Sequence, residues 1–233
     1  GIMLSHCTGI DIMPMKPGSA MFPVPGVDLD VVNEEGNTLP QNQKGYLVIR
    51  KPWPGMLMTL WNDDDKYKNN YWKKNYYFTG DYATIDDELY FWLLGRSDDV
   101  IKISGHRLGT IELESTFISH MSVSEAAVTS KPDKTKGESI VAFLVLKKDY
   151  VESDQLRKEI NEHIRKNIGA IATPKEIYFV NKLPKTRSGK IMRRLLKSIA
   201  SGLTIGDTTT LEDDTSIVEI QKIYNELNDI VKI

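Results

Sequence analysis

The sequence predicts an α+β fold in two parts, a β-rich stretch over residues 1–96 and a small α+β unit over residues 100–233. In the first part, apolar and polar residues alternate in short runs separated by Gly, Pro and Asn, which is typical of strands and turns. After Gly95 the apolar runs lengthen and alternate with stretches of helical period, which favours a unit with its own core. The small polar residues 97–99 are predicted to connect the two parts.

The first part is predicted to hold strands joined by tight turns. Val27–Val32 alternates like a strand, residues 33–37 form a turn, and Gly45–Arg50 is the expected returning strand. Asn62 or Asp63 can cap a short helix that ends at Tyr71. Further strands are predicted at Tyr76–Thr79, Tyr82–Ile85 and Glu88–Leu94.

The second part is predicted to alternate strands with helices. Thr110 can cap a helix that runs to about His120, and Ser153 can cap one whose apolar residues recur every four positions. A third helix is expected from Lys190 to Ala200. The predicted strands are Val100–Ile103, Glu125–Thr129, Ser139–Leu146 and Glu176–Val180. Helical spacing in the tail, at Ile217, Ile220, Tyr224, Leu227 and Val231, predicts a helix that packs on its own domain or binds a partner.

Composition excludes several classes of protein. The 233 residues include 30 basic and 32 acidic side chains, a net charge of −2, which argues against a general nucleic-acid binder. No run approaches the roughly 18 apolar residues of a membrane span, and no signal peptide is evident at the start. The single cysteine, Cys7, excludes an internal disulfide framework and fits a reducing compartment, so a cytoplasmic location is expected.

Three polar residues near the boundary are candidate ligand contacts. Asp81 lies between two predicted strands, where its carboxylate could accept both hydroxyls of a ribose or merely cap a turn. The fork of Arg96 could reach ribose or phosphate oxygens, and a surface salt bridge is the alternative. Asp98 lies in a segment of little bulk that could serve as a hinge or as an ordinary polar connection.

Three further candidates lie in the second part. Gly105 lies in a Gly-flanked turn at residues 104–109, where a backbone can approach a ligand closely and Arg107 could contact phosphate. Arg165, late in a predicted helix, could bind an exposed phosphate or simply suit the helix C-terminus. The four histidines lack metal-ligand spacing, so no metal site is predicted from these residues.

Lys190 is the sharpest catalytic candidate. It ends the Gly-punctuated loop 184–190, which could carry a positive charge to a site where negative charge develops in a transition state. The alternative is a solvated basic loop, because other Lys and Arg residues surround it. Pro184 stands where a P-loop requires Gly, so that motif is excluded. With Asp81 and Arg96, the loop points to nucleotide-dependent activation of a carboxylate.

Six stretches together resemble the AMP-forming acyl-CoA synthetases of the adenylate-forming superfamily. They occur in the expected order and spacing to about residue 211, and they are specific in combination. The stretches are residues 14–20, 53–56, 77–81, 95–100, 104–110 and 183–194.

The resemblance implies a fold and a role for each candidate. Residues 1–96 would be the end of a large N-terminal domain, mostly its distorted β-barrel subdomain, and the rest a complete small C-terminal domain. Asp81 and Arg96 would hold the ribose, Asp98 would be the hinge, and Lys190 would catalyse adenylation. The remaining implied contacts are Arg107 with nucleotide phosphate, Ser104 and Gly105 along the pantetheine route, and Arg165 with the 3′-phosphate of CoA.

The resemblance also implies the reaction and its participants. A small carboxylate, with acetate favoured, reacts with ATP to give acyl-AMP and pyrophosphate, and CoA then displaces AMP. ATP, Mg²⁺ and coenzyme A are the expected cofactors. Lys190 could be switched off by a lysine acetyltransferase and restored by a deacetylase. Neither nucleic acid nor membrane is an expected partner.

Relatives carry a long region before the stretch that matches Gly1. That region holds a phosphate loop, the adenine pocket and a Thr-Glu segment associated with magnesium, so this chain by itself is expected not to form acyl-AMP. The alternatives are a synthetase for propionate or another short acid, a carrier-protein-loading adenylation domain, or a nucleotide- or CoA-binding module without turnover.

Overall fold

The computed structural model describes residues 14–203 together with Leu4, Ser5 and Lys222. The chain divides into two compact units, Gly1–Asp98 and Asp99–Ile233. The five tail residues whose spacing predicted a helix lie outside the described residues: Ile217, Ile220, Tyr224, Leu227 and Val231. Within the described part, no helix is long and apolar enough to cross a membrane.

The first unit is built on antiparallel strands. The short strands β1 (Leu4–Ser5) and β2 (Phe22–Pro23) pair with each other. The other strands of this unit form a five-stranded sheet: β3 (Leu29–Val32), β4 (Gly45–Ile49), β5 (Trp72–Lys73), β6 (Tyr76–Ile85) and β7 (Phe91–Arg96). Their order is β3-β4-β6-β5, with β7 also pairing with β6. The sheet is open in the described residues, so the barrel-like closure that the resemblance implied is not seen there.

Apolar strand residues hold this sheet on its core. All four residues of β3 are buried, and Leu47 and Ile49 of β4 join the same cluster. The predicted short helix is present as α1 (Asp64–Lys66), continued by a π-helical turn at Tyr67–Tyr71. Its N-cap is Asp63, whose carboxylate accepts from the Lys66 backbone N–H, which satisfies one of the free donors of the first turn.

β6 is a single strand, whereas the sequence predicted two short ones. Its ladder with β4 shifts between the pairs Tyr46–Tyr82 and Val48–Phe78, so Leu47 lies opposite three residues of β6. These are Thr79–Asp81, which therefore bulge out of the ladder. Bulges keep a strand continuous while they re-aim side chains, and they are frequent beside functional sites.

The second unit contains a five-stranded sheet and, among its described residues, three α-helices. Its strands are β8 (Ile101–Ile103), β9 (His106–Leu108), β10 (Val123–Asp133), β11 (Gly137–Leu146) and β12 (Glu176–Phe179). Its helices are α2 (Thr110–Ile118), α3 (Asp154–Asn167) and α4 (Arg193–Ala200), with a 3₁₀ turn at Ala170–Ala172. The strand order is β10-β11-β8-β9, and β12 runs parallel to β11.

Helices cover both faces of this sheet. Leu113 and Phe117 of α2, with Ile160 of α3, pack in one cluster against alternate residues of β10 and β11. Leu195 and Ile199 of α4 pack in a second cluster against the strand residues that face the other way, such as Val141 and Phe143 of β11. Burial on both sides explains why β11 reads as a nearly continuous apolar run.

The observed N-termini of α2, α3 and α4 test three predictions made from the sequence. Ser153 is confirmed as the N-cap of α3, since its hydroxyl accepts from the Leu156 N–H at 3.1 Å. The predicted cap of α2 is wrong, because Gly109 takes that position and Thr110 is a buried helical residue. α4 begins at Arg193, so Lys190 precedes the helix instead of opening it.

Candidate functional site

Asp81 and Arg96 lie directly opposite each other on β6 and β7. Arg96 Nη1 is 3.3 Å from Asp81 Oδ1 and also donates to the Thr79 carbonyl at 3.3 Å. Arg96 Nε is 3.3 Å from Asp98 Oδ1, so one guanidinium lies between two carboxylates. These long, partly exposed contacts leave donors and acceptors that hydroxyl groups of a sugar could use.

Gly80 allows this arrangement. Its φ of +81° is a backbone conformation that residues with a side chain rarely adopt. A Cβ at this position would lie 2.5 Å from Arg96 Nη2 and 2.7 Å from Nη1. The Gly80 carbonyl accepts from the Ser97 N–H at 2.9 Å, which ties the bulge in β6 to the residue before Asp98.

A cavity of about 560 Å³ adjoins this cluster within the first unit. Thr79, Gly80, Arg96, Ser97 and Asp98 form one side of it. The other lining residues are Glu34, Tyr46, Asn70, Tyr71, Lys73, Lys74 and Phe78. The lining therefore combines aromatic side chains, which could stack on a flat ring, with charged side chains of both signs.

Ser104 and Gly105 form the two-residue turn of the β8–β9 hairpin. Both have positive φ, +49° and +84°, as a type I′ turn requires. The Ser104 N–H donates to the Lys136 carbonyl at 2.9 Å, which holds the turn against the β10–β11 connection. A Cβ added to Gly105 would meet no atom within 4 Å, so the turn presents open backbone.

The two predicted phosphate contacts of this unit, Arg107 and Arg165, lie on different elements. Arg107 is half-buried in β9, which leaves the turn, and lies opposite Lys102 in the β8–β9 ladder. Arg165 lies in the last turn of α3 on its exposed side, while the neighbouring Ile164 is buried. A cation there also suits the partial negative charge at the helix C-terminus.

Lys190 lies at the end of a hydrogen-bonded turn. Thr186 N–H donates to the Lys190 carbonyl at 2.8 Å, and Gly189 N–H donates to the Thr186 carbonyl at 2.8 Å. Thr186 Oγ1 accepts from the Lys190 N–H at 3.2 Å, and Gly189 has a φ of +78°. Antiparallel pairing of Lys185 with Ile191 closes the base of the turn. The backbone of Lys190 is thus fixed while its side chain is exposed.

Three basic residues near Lys190 pair with carboxylates. Lys185 Nζ lies 2.7 Å from Glu125 Oε2, and Lys197 Nζ lies 3.6 Å from Glu138 Oε1. Arg193 forms a bidentate pair with Glu114. Within the described residues, Lys190 makes no ion pair. Lys190 is therefore without a carboxylate partner in the described part of the chain, whereas Lys185 and Arg193 on either side of it are paired.

The stretch at residues 14–20 has a structural role in the first unit. Lys16 Nζ lies 2.7 Å from Asp86 Oδ2 and 2.8 Å from Glu88 Oε1. Burial alone would raise the pKa of Asp86, but hydrogen bonds from Lys16, Trp92 and backbone N–H groups lower it to about 2. The contacts with carboxylates raise the pKa of Lys16 in turn.

Sequence reasoning missed several partners of the site. The Thr79 carbonyl, Ser97 and Glu114 each hold a predicted residue or its neighbour in place. Thr79 belongs to one of the six recognised stretches, but no local pattern signals that its carbonyl will meet an arginine 17 residues away. Among the described residues, no three His, Cys, Asp or Glu side chains converge as a metal site would require.

Comparisons with known proteins define the class. Residues 112–190 match the family model of the AMP-binding enzyme C-terminal domain. A solved anthranilate CoA ligase bound to anthranoyl-AMP is 35% identical with a TM-score of 0.72, covering 80% of this chain and 36% of that one. A benzoate CoA ligase from Burkholderia xenovorans is 29% identical with a TM-score of 0.69, covering 78% and 36%. Over about four fifths of its length, the chain is therefore similar in sequence and fold to these CoA ligases.

Two curated relatives are more similar to this chain in sequence than the solved structures named above. The chain is 56% identical to the acetyl-coenzyme A synthetase of Pyrobaculum arsenaticum over 97% of this chain and 34% of that protein. It is 47% identical to the 3-hydroxypropionyl-coenzyme A synthetase of Metallosphaera sedula over 98% of this chain and 35% of that protein. The chain spans about a third of the length of these curated relatives.

Proposed function

We propose that the intact protein carrying this sequence is an AMP-forming short-chain acyl-CoA synthetase, an acid–thiol ligase with acetate as its preferred acid. The observation that carries the proposal is the 56% identity to an acetyl-coenzyme A synthetase across 97% of the chain. A carboxylate oxygen would attack the α-phosphorus of ATP, forming acyl-AMP as pyrophosphate leaves. The sulfur of CoA would then attack the acyl carbon, forming the thioester as AMP leaves.

Asp81 and Arg96 are proposed to bind the ribose. The Asp81 carboxylate would accept hydrogen bonds from the two ribose hydroxyls, and Arg96, already 3.3 Å from it, would orient the carboxylate and donate to a ribose oxygen. Gly80 supports this role because it lets the guanidinium lie against the backbone of the bulge.

Lys190 is proposed to stabilise charge during adenylation. Negative charge builds on the α-phosphate and on the leaving pyrophosphate, and a fixed ammonium stabilises it most in the transition state. The hydrogen-bonded turn supports the proposal because it fixes the backbone from which the side chain extends.

The second half-reaction is proposed to use the β8–β9 hairpin. The open backbone at Ser104 and Gly105 would line the path of the pantetheine thiol, since nothing crowds it within this unit. Arg107 would meet a nucleotide phosphate, and Arg165 would meet the 3′-phosphate of CoA as a charge-assisted contact.

The domain plan follows the same proposal. Residues 1–96 would close the large domain, residues 97–99 would form the hinge about Asp98, and residues 100–233 would be the small domain with a helical tail. Mg²⁺ would be held mainly by residues of the large domain beyond this sequence, so the present chain alone would not form acyl-AMP. The enzyme would work in the cytoplasm, and acetylation of Lys190 would remove its charge and stop adenylation.

A second candidate acid calls for direct comparison because 3-hydroxypropionyl-coenzyme A synthetases are 47% and 48% identical to this chain. Pyrophosphate release by the intact protein should be measured with acetate, propionate and 3-hydroxypropionate. We expect the highest kcat/KM with acetate. If kcat/KM is higher with propionate or 3-hydroxypropionate, that acid replaces acetate as the proposed substrate. If none of the three acids supports pyrophosphate release, the proposal of a synthetase is rejected.

Lys190→Ala in the intact protein tests the catalytic role. Adenylation should fall on the order of 10²–10³-fold, the range for loss of one transition-state contact, while thioester formation from supplied acetyl-AMP and CoA is largely retained. Arg187→Ala, which removes another exposed cation of the same turn, should leave both steps nearly unchanged. Equal loss of both steps in Lys190→Ala would contradict the assignment.

Titration of the 233-residue chain separates the enzyme from a binding module. A binding module without turnover would give two results together. The chain would bind AMP or CoA tightly in calorimetry, and the intact protein would release no pyrophosphate. A synthetase would release pyrophosphate whether or not this part alone binds either ligand.

A further inference from the structure

A bidentate ion pair joins Arg193 to Glu114 inside the second unit. Arg193 Nε donates to Glu114 Oε1 at 2.8 Å, and Nη2 donates to Oε2 at 2.5 Å. The Glu114 side chain is 8% exposed and that of Arg193 is 23% exposed. Glu114 Oε1 also accepts from the Val128 N–H at 2.9 Å. One carboxylate therefore connects α2, β10 and the first residue of α4.

Arg193 occupies a position that disfavours a cation. α4 opens with Arg193 and Arg194, has no acidic residue in its first turn and receives no side-chain cap from Met192. The N-terminus of a helix carries partial positive charge, so an arginine there is electrostatically unfavourable unless a carboxylate compensates it. Glu114 supplies that carboxylate, and a local rule broken with such a compensation is a sign of a selected contact.

The pair lies where the turn of Lys190 becomes α4. Ile191 pairs with Lys185, and Met192 N–H donates to the Pro184 carbonyl at 2.9 Å, so Arg193 is the first residue after the closed turn. The hydrogen bonds that Arg193 donates to Glu114 raise the pKa of Arg193, burial opposes this, and the charges of Glu114 and Asp99 add to the rise. Arg193 is thus the point at which the turn is fixed to the body of the unit.

We propose that Glu114 and Arg193 form a positioning pair that holds the Lys190 turn in register with α2 and β10. Neither side chain is placed in contact with a substrate. The pair acts by fixing the position of the backbone from which the Lys190 side chain extends. The proposal rests on the proposed role of Lys190 in adenylation. It predicts that loosening the pair harms adenylation selectively, because misplacement of a reacting group by about 1 Å can cost on the order of 100-fold in rate.

The test is Arg193→Lys in the intact protein. Lysine keeps the charge but cannot form both hydrogen bonds to Glu114, so the turn should loosen without leaving a buried carboxylate uncompensated. We expect kcat for acetate-dependent pyrophosphate release to fall about tenfold, with KM for ATP unchanged. Thioester formation from supplied acetyl-AMP and CoA should stay within about twofold. Arg194→Lys, at the adjacent exposed position, is the matched control and should change neither step.

A second variant guards against a folding defect. The double substitution Glu114→Gln with Arg193→Gln removes both charges together, so neither partner is left as an unpaired buried ion. It should show the same selective loss of adenylation. Equal loss of both half-reactions in both variants would mean a merely structural pair, and unchanged adenylation would mean no positioning; either result overturns the inference.

Lys190→Ala, assayed in parallel, separates this inference from the proposed function. If Lys190→Ala abolishes adenylation while Arg193→Lys leaves it unchanged, only the positioning inference fails. If Lys190→Ala adenylates normally, the proposed role of Lys190 fails, and the positioning inference fails with it.

Discussion

At the scale of single residues, the close approach of Arg96 to Gly80 is the most demanding feature of the first unit. Two constraints coincide at Gly80: a φ of +81° and a guanidinium that fills the space where a Cβ would lie. The first concerns the stability of the strand, whereas the second concerns the position of Arg96. A substitution that affects both can be compared with one that affects only the first.

Gly80→Ala should therefore weaken nucleotide binding as well as stability. Its Cβ would lie 2.5 Å from Arg96 Nη2 and displace the guanidinium, so KM for ATP in the intact protein should rise about tenfold, equivalent to ~1.4 kcal/mol. Gly26→Ala is the matched control, because Gly26 has a φ of +88° but a Cβ added there would meet nothing within 4 Å. Thermal unfolding should show about 1 kcal/mol lost in each variant. Equal KM values in the two variants would contradict the role of the Gly80–Arg96 contact.

Residue type gave Asp81 and Arg96 as separate candidates, the resemblance assigned both to the ribose, and the structure adds their direct ion pair. They are 15 residues apart, and their alignment depends on a shift in the β6–β7 ladder between Tyr82 and Ala83. A shift of one residue would turn Arg96 to the other face of the sheet. Such irregularities arise from packing across several strands, so a local pattern cannot predict them.

At the scale of elements, the connection between β6 and β7 is held by a single carboxylate. Asp86 Oδ1 accepts from the Glu88 and Tyr90 N–H groups, and Oδ2 accepts from Lys16 and from Trp92 Nε1. Four donors on one ionised group favour its charged form, which is why the pKa of Asp86 falls to about 2 despite its burial. The connection is therefore most stable while Asp86 is ionised.

Acid should destabilise the first unit through Asp86. The folded-state pKa, about 2, lies below the ordinary value of 3.8, so this group's stabilisation is present above about pH 4 and is lost as the pH falls from about 4 to 2. Urea unfolding of the chain at a series of pH values should show this loss. Asp86→Asn should lower stability at neutral pH and flatten the slope across that acid range. Asp87→Asn, at the adjacent exposed residue, is the control and should keep the slope; an unchanged slope in Asp86→Asn would refute the assignment.

Elements with a strong local signal were predicted well, and junctions were not. The four-residue apolar repeat and Ser153 predicted α3 because cap and stripe agree along one helix. The start of α4 lies three residues after the predicted one, since Lys190 belongs to a turn closed by Lys185 and Ile191. That closure competes with helix formation, and it depends on backbone pairing that composition does not reveal.

At the scale of the whole molecule, the two units have separate cores. The cluster around Leu47 and Ile49 contains residues of the first unit, and those around Phe117 and Phe143 contain residues of the second. A unit with its own core can keep its internal structure while the backbone of a connecting residue rotates. Rotation of the backbone at the predicted hinge, Asp98, would therefore not require either core to repack.

Asp98→Pro tests this demand in the intact protein. Proline fixes φ near about −65° and removes the N–H, so the chain could adopt only geometries compatible with that value. If the two half-reactions need different backbone conformations at residue 98, one should fall by about tenfold or more and the other should persist. Pyrophosphate release measures the first, and thioester formation from supplied acetyl-AMP measures the second.

The comparison with Asp98→Ala isolates rotation from charge. Alanine also removes the carboxylate that lies 3.3 Å from Arg96 Nε, but it leaves φ free to change. Any loss common to both variants reports the contact with Arg96, and the additional, one-sided loss in Asp98→Pro reports the hinge. Because a fixed φ blocks only one of two geometries, equal reduction of both half-reactions by proline would argue for damage to the fold. Unchanged rates in both would place the pivot at another residue.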